Sequence, residues 1–163
     1  MAIRPPECPV CQMTVATPDF ETEFLAITYR FCSRQCLERF RRHPRLYIGD
    51  PGHGKSQKQK GHTVLKRHRI VMAEPLSPNI AGDIQHRLAG LMGTKEVSCS
   101  DNTLWVIYDL LEVSLADIEA AILSVVGDLD HSLIEDLKRK FIHCSEECEL
   151  ENLAHPDSGN GCH

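Results

Sequence analysis

Four cysteines near the start of this chain constrain it more than any other feature. Cys8 and Cys11 sit in Glu7-Cys8-Pro9-Val10-Cys11-Gln12-Met13, and Cys32 and Cys36 in Phe31-Cys32-Ser33-Arg34-Gln35-Cys36. A Cys-x-x-Cys turn presents two thiolates from one tight knuckle. Two cysteines at i and i+4 face the same way on a helix. Four thiolates that converge tetrahedrally suit Zn2+, which binds sulfur well and has no geometric demand of its own. The spacing therefore argues for a metal centre over four unrelated buried thiols. A segment this short has little apolar core, so a bound metal contributes folding free energy directly.

The rest of the cysteine usage fits an intracellular protein. Eight cysteines occur in 163 residues, and the N-terminal Met1-Ala2-Ile3-Arg4-Pro5-Pro6-Glu7 has no apolar stretch of the secretory kind. The expectation is cytoplasmic thiols, where metal binding is commoner than a disulfide framework. No apolar run approaches the roughly 20 residues that cross a bilayer, so membrane insertion is not expected.

Charge divides the chain. Residues 1–67 hold 12 Lys and Arg against 6 Asp and Glu, whereas residues 68–163 hold 6 against 17. Opposite halves suggest two modules. The basic half raises nucleic acid as a partner, through Arg34, Arg39, Arg41, Arg42 and Arg45. The acidic half opposes it, and a solvated basic surface is the simpler reading.

Residues 1–48 read as a four-cysteine zinc module. Thr22 to Phe31 is rich in β-branched and aromatic residues and predicts a strand or hairpin. Ser33 is a candidate N-cap for a helix to about His43, which Pro44 ends. Residues 49–67 read as a basic flexible linker of Gly, Lys and Gln. Within it, Gly49-Asp50-Pro51-Gly52-His53-Gly54-Lys55-Ser56 matches the phosphate-loop pattern. That motif needs a buried strand before it and a helix N-terminus after it, and neither is expected here.

Residues 68–130 read as strand (68–74), helix (79–91, stopped by Gly93), two strands (96–100 and 103–109) about a turn at Asp101-Asn102, and helix (115–126). This βαββα order predicts an α+β, ferredoxin-like fold. A fourth strand has only residues 128–132 available. Residues 131–163 read as a final helix and a tail. Ile134, Leu137, Phe141, Cys144 and Cys148 fall on one helical stripe.

A second cysteine set lies there. Cys144 and Cys148, with Cys162 and His163 of the tail, can form a site for Zn2+ or Cu(I). Alternatively the two helical cysteines pack in a core, or the stripe is the seam of a homodimer. Met13 and Met72 read as core residues, and so does Cys99. His53, His62 and His68 read as solvated. No arrangement for catalysis stands out, so the chain is not expected to be an enzyme.

The first module resembles the YHS/TRASH family of small treble-clef-like zinc modules. Pro9-Val10-Cys11-Gln12-Met13-Thr14-Val15, Tyr29-Arg30-Phe31-Cys32-Ser33-Arg34-Gln35-Cys36-Leu37-Glu38-Arg39-Phe40 and His43-Pro44-Arg45-Leu46-Tyr47 carry the resemblance. It implies Cys11, Cys32 and Cys36 as ligands. Many members have Asp at the position of Cys8 and Gly at that of Gln12, so Cys8 completes a closed, four-thiolate site here. The second module is similar to heavy-metal-associated domains in the order of its elements, in Leu91-Met92-Gly93-Thr94-Lys95-Glu96-Val97 and in Leu115-Ala116-Asp117-Ile118-Glu119-Ala120-Ala121-Ile122. That family binds Cu(I) through a Cys-x-x-Cys pair after its first strand. Here the loop is Pro75-Leu76-Ser77-Pro78-Asn79-Ile80, without a thiol.

Together the resemblances imply a soft-metal protein: a metallochaperone, buffer or sensor in heavy-metal resistance, working with a metal-export ATPase or a metal-responsive regulator. The competing expectation is an adaptor whose zinc is structural and whose ferredoxin-like module docks a protein or dimerises.

Overall fold

The computed structural model describes residues 6–17, 19–72, 75–126 and 136–155, with backbone alone for 136–144. The chain divides into two compact units, residues 1–63 with 148–163, and residues 64–147. Among the described residues, four α-helices, two 3-10 turns and two small antiparallel sheets make up the regular structure.

Unit 1 begins with a cysteine knuckle and the hairpin β1 (Phe20–Phe24) and β2 (Ile27–Phe31). Leu25 and Ala26 form its turn, with φ of 52° and 60°. Two left-handed residues match a hairpin's twist but are normally Asn or Gly, so this turn is strained. Helix α1 (Arg34–Arg42) follows, and the Ser33 side chain accepts from the Cys36 amide as expected of its N-cap. A 3-10 turn at Pro44–Leu46 ends the helix region. Phe40 sits among Phe24, Tyr29, Phe31 and Tyr47, with ring centroids 5.0–6.1 Å away. This aromatic cluster, with Val10, Val15, Leu37 and Leu46, forms the apolar core of the described residues up to Ile48.

The stretch expected as a linker carries its own hydrogen bonds. Residues 49–63 belong to unit 1. The amides of Gly49 and Ser56 both donate to Gln59 Oε1, at 3.1 and 3.0 Å. A 3-10 turn spans Lys58–Lys60, and Ser56 and Lys58 are buried. The polar side chains replace an apolar core by satisfying the backbone locally, a pattern that composition alone reads as coil.

Unit 2 holds β3 (Leu65–Val71), α2 (Pro78–Ala89), β4 (Thr94–Ser100), β5 (Thr103–Asp109) and α3 (Leu115–Val126). The sheet order is β3-β5-β4, all antiparallel neighbours. The α2 connection thus joins two outer strands with β5 between them. Strand β3 starts three residues earlier than the pattern suggested, and α2 ends at its Gly90 cap rather than at Gly93. Gly93 instead has φ of 97°, and a Cβ there would lie 2.6 Å from Cβ of Glu112. The β4–β5 turn falls at Asp101-Asn102 as expected.

Helix α2 packs on α3 and on β4. Ile84, Leu88, Leu104, Val106, Tyr108 and Ile118 are fully buried between sheet and helices. Ser114 and Asp117 form a capping box at the start of α3: Asp117 Oδ2 accepts from the Ser114 amide, and Ser114 Oγ accepts from the Asp117 amide. Helix α4 (Asp136–Ala154) contributes Glu146, a buried carboxylate. It accepts from the Tyr108 hydroxyl and, at 2.9 Å, from the Leu115 amide. No helix of the described residues is long and apolar enough to cross a membrane. The expected fourth strand at 128–132 lies outside the described residues.

Candidate metal centre

The structure brings Cys8, Cys11, Cys32 and Cys36 together. Their sulfurs all lie within 4.8 Å of one another. Cys11 Sγ is 3.3 Å from Cys32 Sγ, which is 3.7 Å from Cys36 Sγ. A tetrahedral Zn2+ with Zn–S bonds of about 2.3 Å sets its sulfurs about 3.8 Å apart. The four sulfurs fit that requirement and can hold a metal ion.

Local structure explains the convergence. The knuckle closes by two backbone hydrogen bonds, Cys8 amide to Met13 carbonyl and Gln12 amide to Cys8 carbonyl, both 2.8 Å. Closing it puts Gln12 at φ of 64°, a conformation that Gly takes more easily. The Gln12 side chain compensates by donating to the Lys58 carbonyl at 3.3 Å. The residues after the expected linker boundary thus brace the knuckle. On the other side, β2 ends at Phe31 and delivers Cys32. The Ser33 cap starts α1 so that Cys36 lies one turn into the helix, beside Cys32.

Electrostatics favour a cation. Hydrogen bonds from the thiols of Cys11 and Cys36 hold Cys8 as a thiolate, with its pKa lowered to about 2 against its burial; the amides of Cys11 and Cys32 add to this. At Cys11 the Cys36 thiol lowers the pKa, but the Cys8 sulfur and burial outweigh it and raise the pKa to about 12. Cys11 and then Cys8 push the Cys36 thiol far above its ordinary range, and burial adds to the shift. Several negative sulfurs cannot share this space without a positive ion. A divalent metal reverses that balance and takes up the charge as thiolates form. Cys8 and Cys36 are buried, whereas Cys11 and Cys32 are half-buried.

Of the second set, only Cys148 has a described side chain. Cys144, Cys162 and His163 lie outside the side chains described. Cys148 is half-buried on α4 and disulfide-bonded, so its sulfur is not a thiolate in this state. Cys99 is half-buried on β4, its thiol pKa raised by burial and then by Asp101. Met72 is buried as expected, but Met13 is 53% exposed at the knuckle and is no core residue.

Two other motifs resolve clearly. The Gly49–Ser56 loop is no phosphate cradle. A 3-10 turn precedes it and another, of three residues, follows. Its amides are already used: Gly52 donates to Asp50 Oδ1 at 3.0 Å, and His53 and Gly54 donate to the Asp50 carbonyl. Of the five arginines read as a basic surface, Arg39 is buried and Arg45 pairs with Asp50, whereas Arg34, Arg41 and Arg42 are exposed. Sequence reasoning missed Gln12 as a brace and Glu146 as a buried anchor. The Gln at a position that favours glycine was a signal for the first; nothing in the helical stripe marked the second.

No protein-family model, no curated protein and no solved structure matches the chain.

Proposed function

We propose that the chain is a soft-metal protein whose four-cysteine centre holds Zn2+ and takes part in metal handling: trafficking, buffering or sensing. The observation that carries this reading is the sulfur cluster, with every sulfur within 4.8 Å of the others. Cys11 and Cys32 are its more exposed pair. An incoming thiolate reaches them first, and ligand-by-ligand exchange through such an edge is how a bound ion passes between thiolate sites. Thiolates also take Cu(I), so the metal carried depends on availability. Unit 2 has the strand order of three ferredoxin-like strands, which supports the heavy-metal-associated reading of its fold. It has no thiol in the described loop between β3 and α2, so it serves as the partner-facing module, with a metal-export ATPase or a metal-responsive regulator as the partner.

The four-thiolate set also favours a second reading. A site with no open coordination position is typical of structural zinc. In that case the chain is an adaptor and unit 2 does the work of recognition. Metal transfer decides between them. The protein loaded with Zn2+ is mixed with a thiolate-rich metal acceptor, and ion transfer is followed by a chromogenic chelator. Exchange within minutes supports metal handling. Retention over hours supports the adaptor and overturns the first reading.

A further inference from the structure

Outside the metal centre, the open face of the unit 2 sheet stands out. Side chains alternate across the strands, and Ile70, Leu104, Val106 and Tyr108 go to the buried side. The other side carries Leu65, Arg67, Arg69 and Val71 from β3, and Trp105 and Ile107 from β5. Leu65 is 60% exposed and Val71 42%. Trp105 is the single tryptophan of the chain. Arg69 is its cross-strand partner. The guanidinium carbons of Arg67 and Arg69 lie 5.0 and 5.8 Å from the centroid of its ring.

Two features of this face call for a ligand. Acidic residues outnumber basic ones in residues 64–147. Yet among the described residues neither Arg67 nor Arg69 has a carboxylate partner. Glu96 shares the face, but it sits across Ile107 from Arg67, two strand spacings or about 10 Å away. The indole instead attracts both guanidinium groups by cation–π interaction. A guanidinium held over a ring keeps its in-plane N–H groups available for bidentate pairing with a carboxylate. Trp and Arg are also among the residue types enriched in interface hot spots.

We propose that this face docks an acidic protein segment that also bears apolar side chains. Its carboxylates pair with Arg67 and Arg69, and its apolar groups lie over Leu65, Trp105 and Val71. Single-stranded nucleic acid fits less well. Two cations in an acidic unit do not track a phosphate backbone, and the single indole, with two guanidinium groups near its ring, offers a stacking place for one base at most.

The test uses the full zinc-loaded protein and a short synthetic peptide of Glu and Leu, followed by Trp105 emission and by anisotropy of the labelled peptide. The expected result is saturable, salt-sensitive binding. Arg67→Ala/Arg69→Ala weakens it by at least about tenfold with zinc content unchanged. Arg67→Lys/Arg69→Lys, which keeps the charge, weakens it less. Any of three results overturns the proposal: no saturable binding; equal affinity for the same peptide with Lys in place of Glu; or affinity unchanged in the lysine variant and in any folded alanine variant. Tighter binding of oligothymidylate than of the acidic peptide also overturns it, and assigns the face to nucleic acid.

Discussion

Unit 2 is held together by a broad set of apolar side chains, whereas the N-terminal segment of unit 1 sets a small aromatic core beside four clustered cysteines. Unit 2 buries a continuous set of aliphatic side chains between a three-stranded sheet and two helices. The N-terminal segment buries an aromatic cluster about Phe40 and then converges four cysteines. The difference teaches where folding free energy comes from when a segment is too short for a core. A structural zinc site supplies roughly 10–16 kcal/mol of apparent binding free energy, which is comparable to the net stability of a whole domain.

The largest expected effect separates the units most cleanly. Removing the metal with a strong chelator should unfold the segment containing Cys8 to Tyr47 and leave unit 2 folded. Amide hydrogen exchange reads both at once; equal protection before and after chelation would break the comparison. Conversely, Leu104→Ala should destabilise unit 2 by about 3 kcal/mol without changing zinc content, as followed by urea unfolding and elemental analysis. Leu104 is 1% exposed, so the cavity has no solvent to fill it.

Proton linkage sharpens the contrast. Cys11 and Cys36 are held above the ordinary thiol value of 9.0, so both are protonated near neutral pH in the metal-free state. Zinc must displace those protons. Apparent affinity should therefore rise with pH, by at least about a hundredfold per unit for these two protons, and fall on acidification. Calorimetry in buffers of different ionisation enthalpy counts the protons released; a pH-independent affinity would contradict the site. Unit 2 should show no such dependence on metal and pH together.

Smaller effects concern anchors. Tyr108→Phe removes the hydroxyl that donates to Glu146. It should cost about 1–2 kcal/mol in unit 2, seen as a lower urea midpoint. Ala26→Gly should stabilise the β1–β2 hairpin by about 1 kcal/mol, because φ of 60° suits glycine. A lower melting temperature in that variant would show that the turn is not strained.

Most of this architecture was legible where a residue has one strong local use. Ser33 and Ser114 cap their helices, Asp101-Asn102 turns a hairpin, and the cysteine spacing marks the centre. The tight turn at Leu25-Ala26 was not, because neither residue is a turn former and the register of the hairpin overrides their preference. Strand β3 began earlier than expected because Leu65, Arg67, Arg69 and Val71 face away from the core. A strand with a polar, exposed side blends into the basic stretch before it. Residues 49–63 read as coil because Gln59 and Asp50 satisfy backbone amides, a role that composition does not reveal. Glu146 read as one more acidic helix residue, since only the fold brings it to Tyr108 and Leu115.

The most direct test is zinc per chain, measured by elemental analysis of purified wild type, of Cys8→Ser/Cys36→Ser, and of Cys144→Ser/Cys148→Ser. The four-cysteine account predicts one zinc in the wild type, one in the C-terminal variant and none in the N-terminal variant. A full zinc equivalent retained by Cys8→Ser/Cys36→Ser would contradict it.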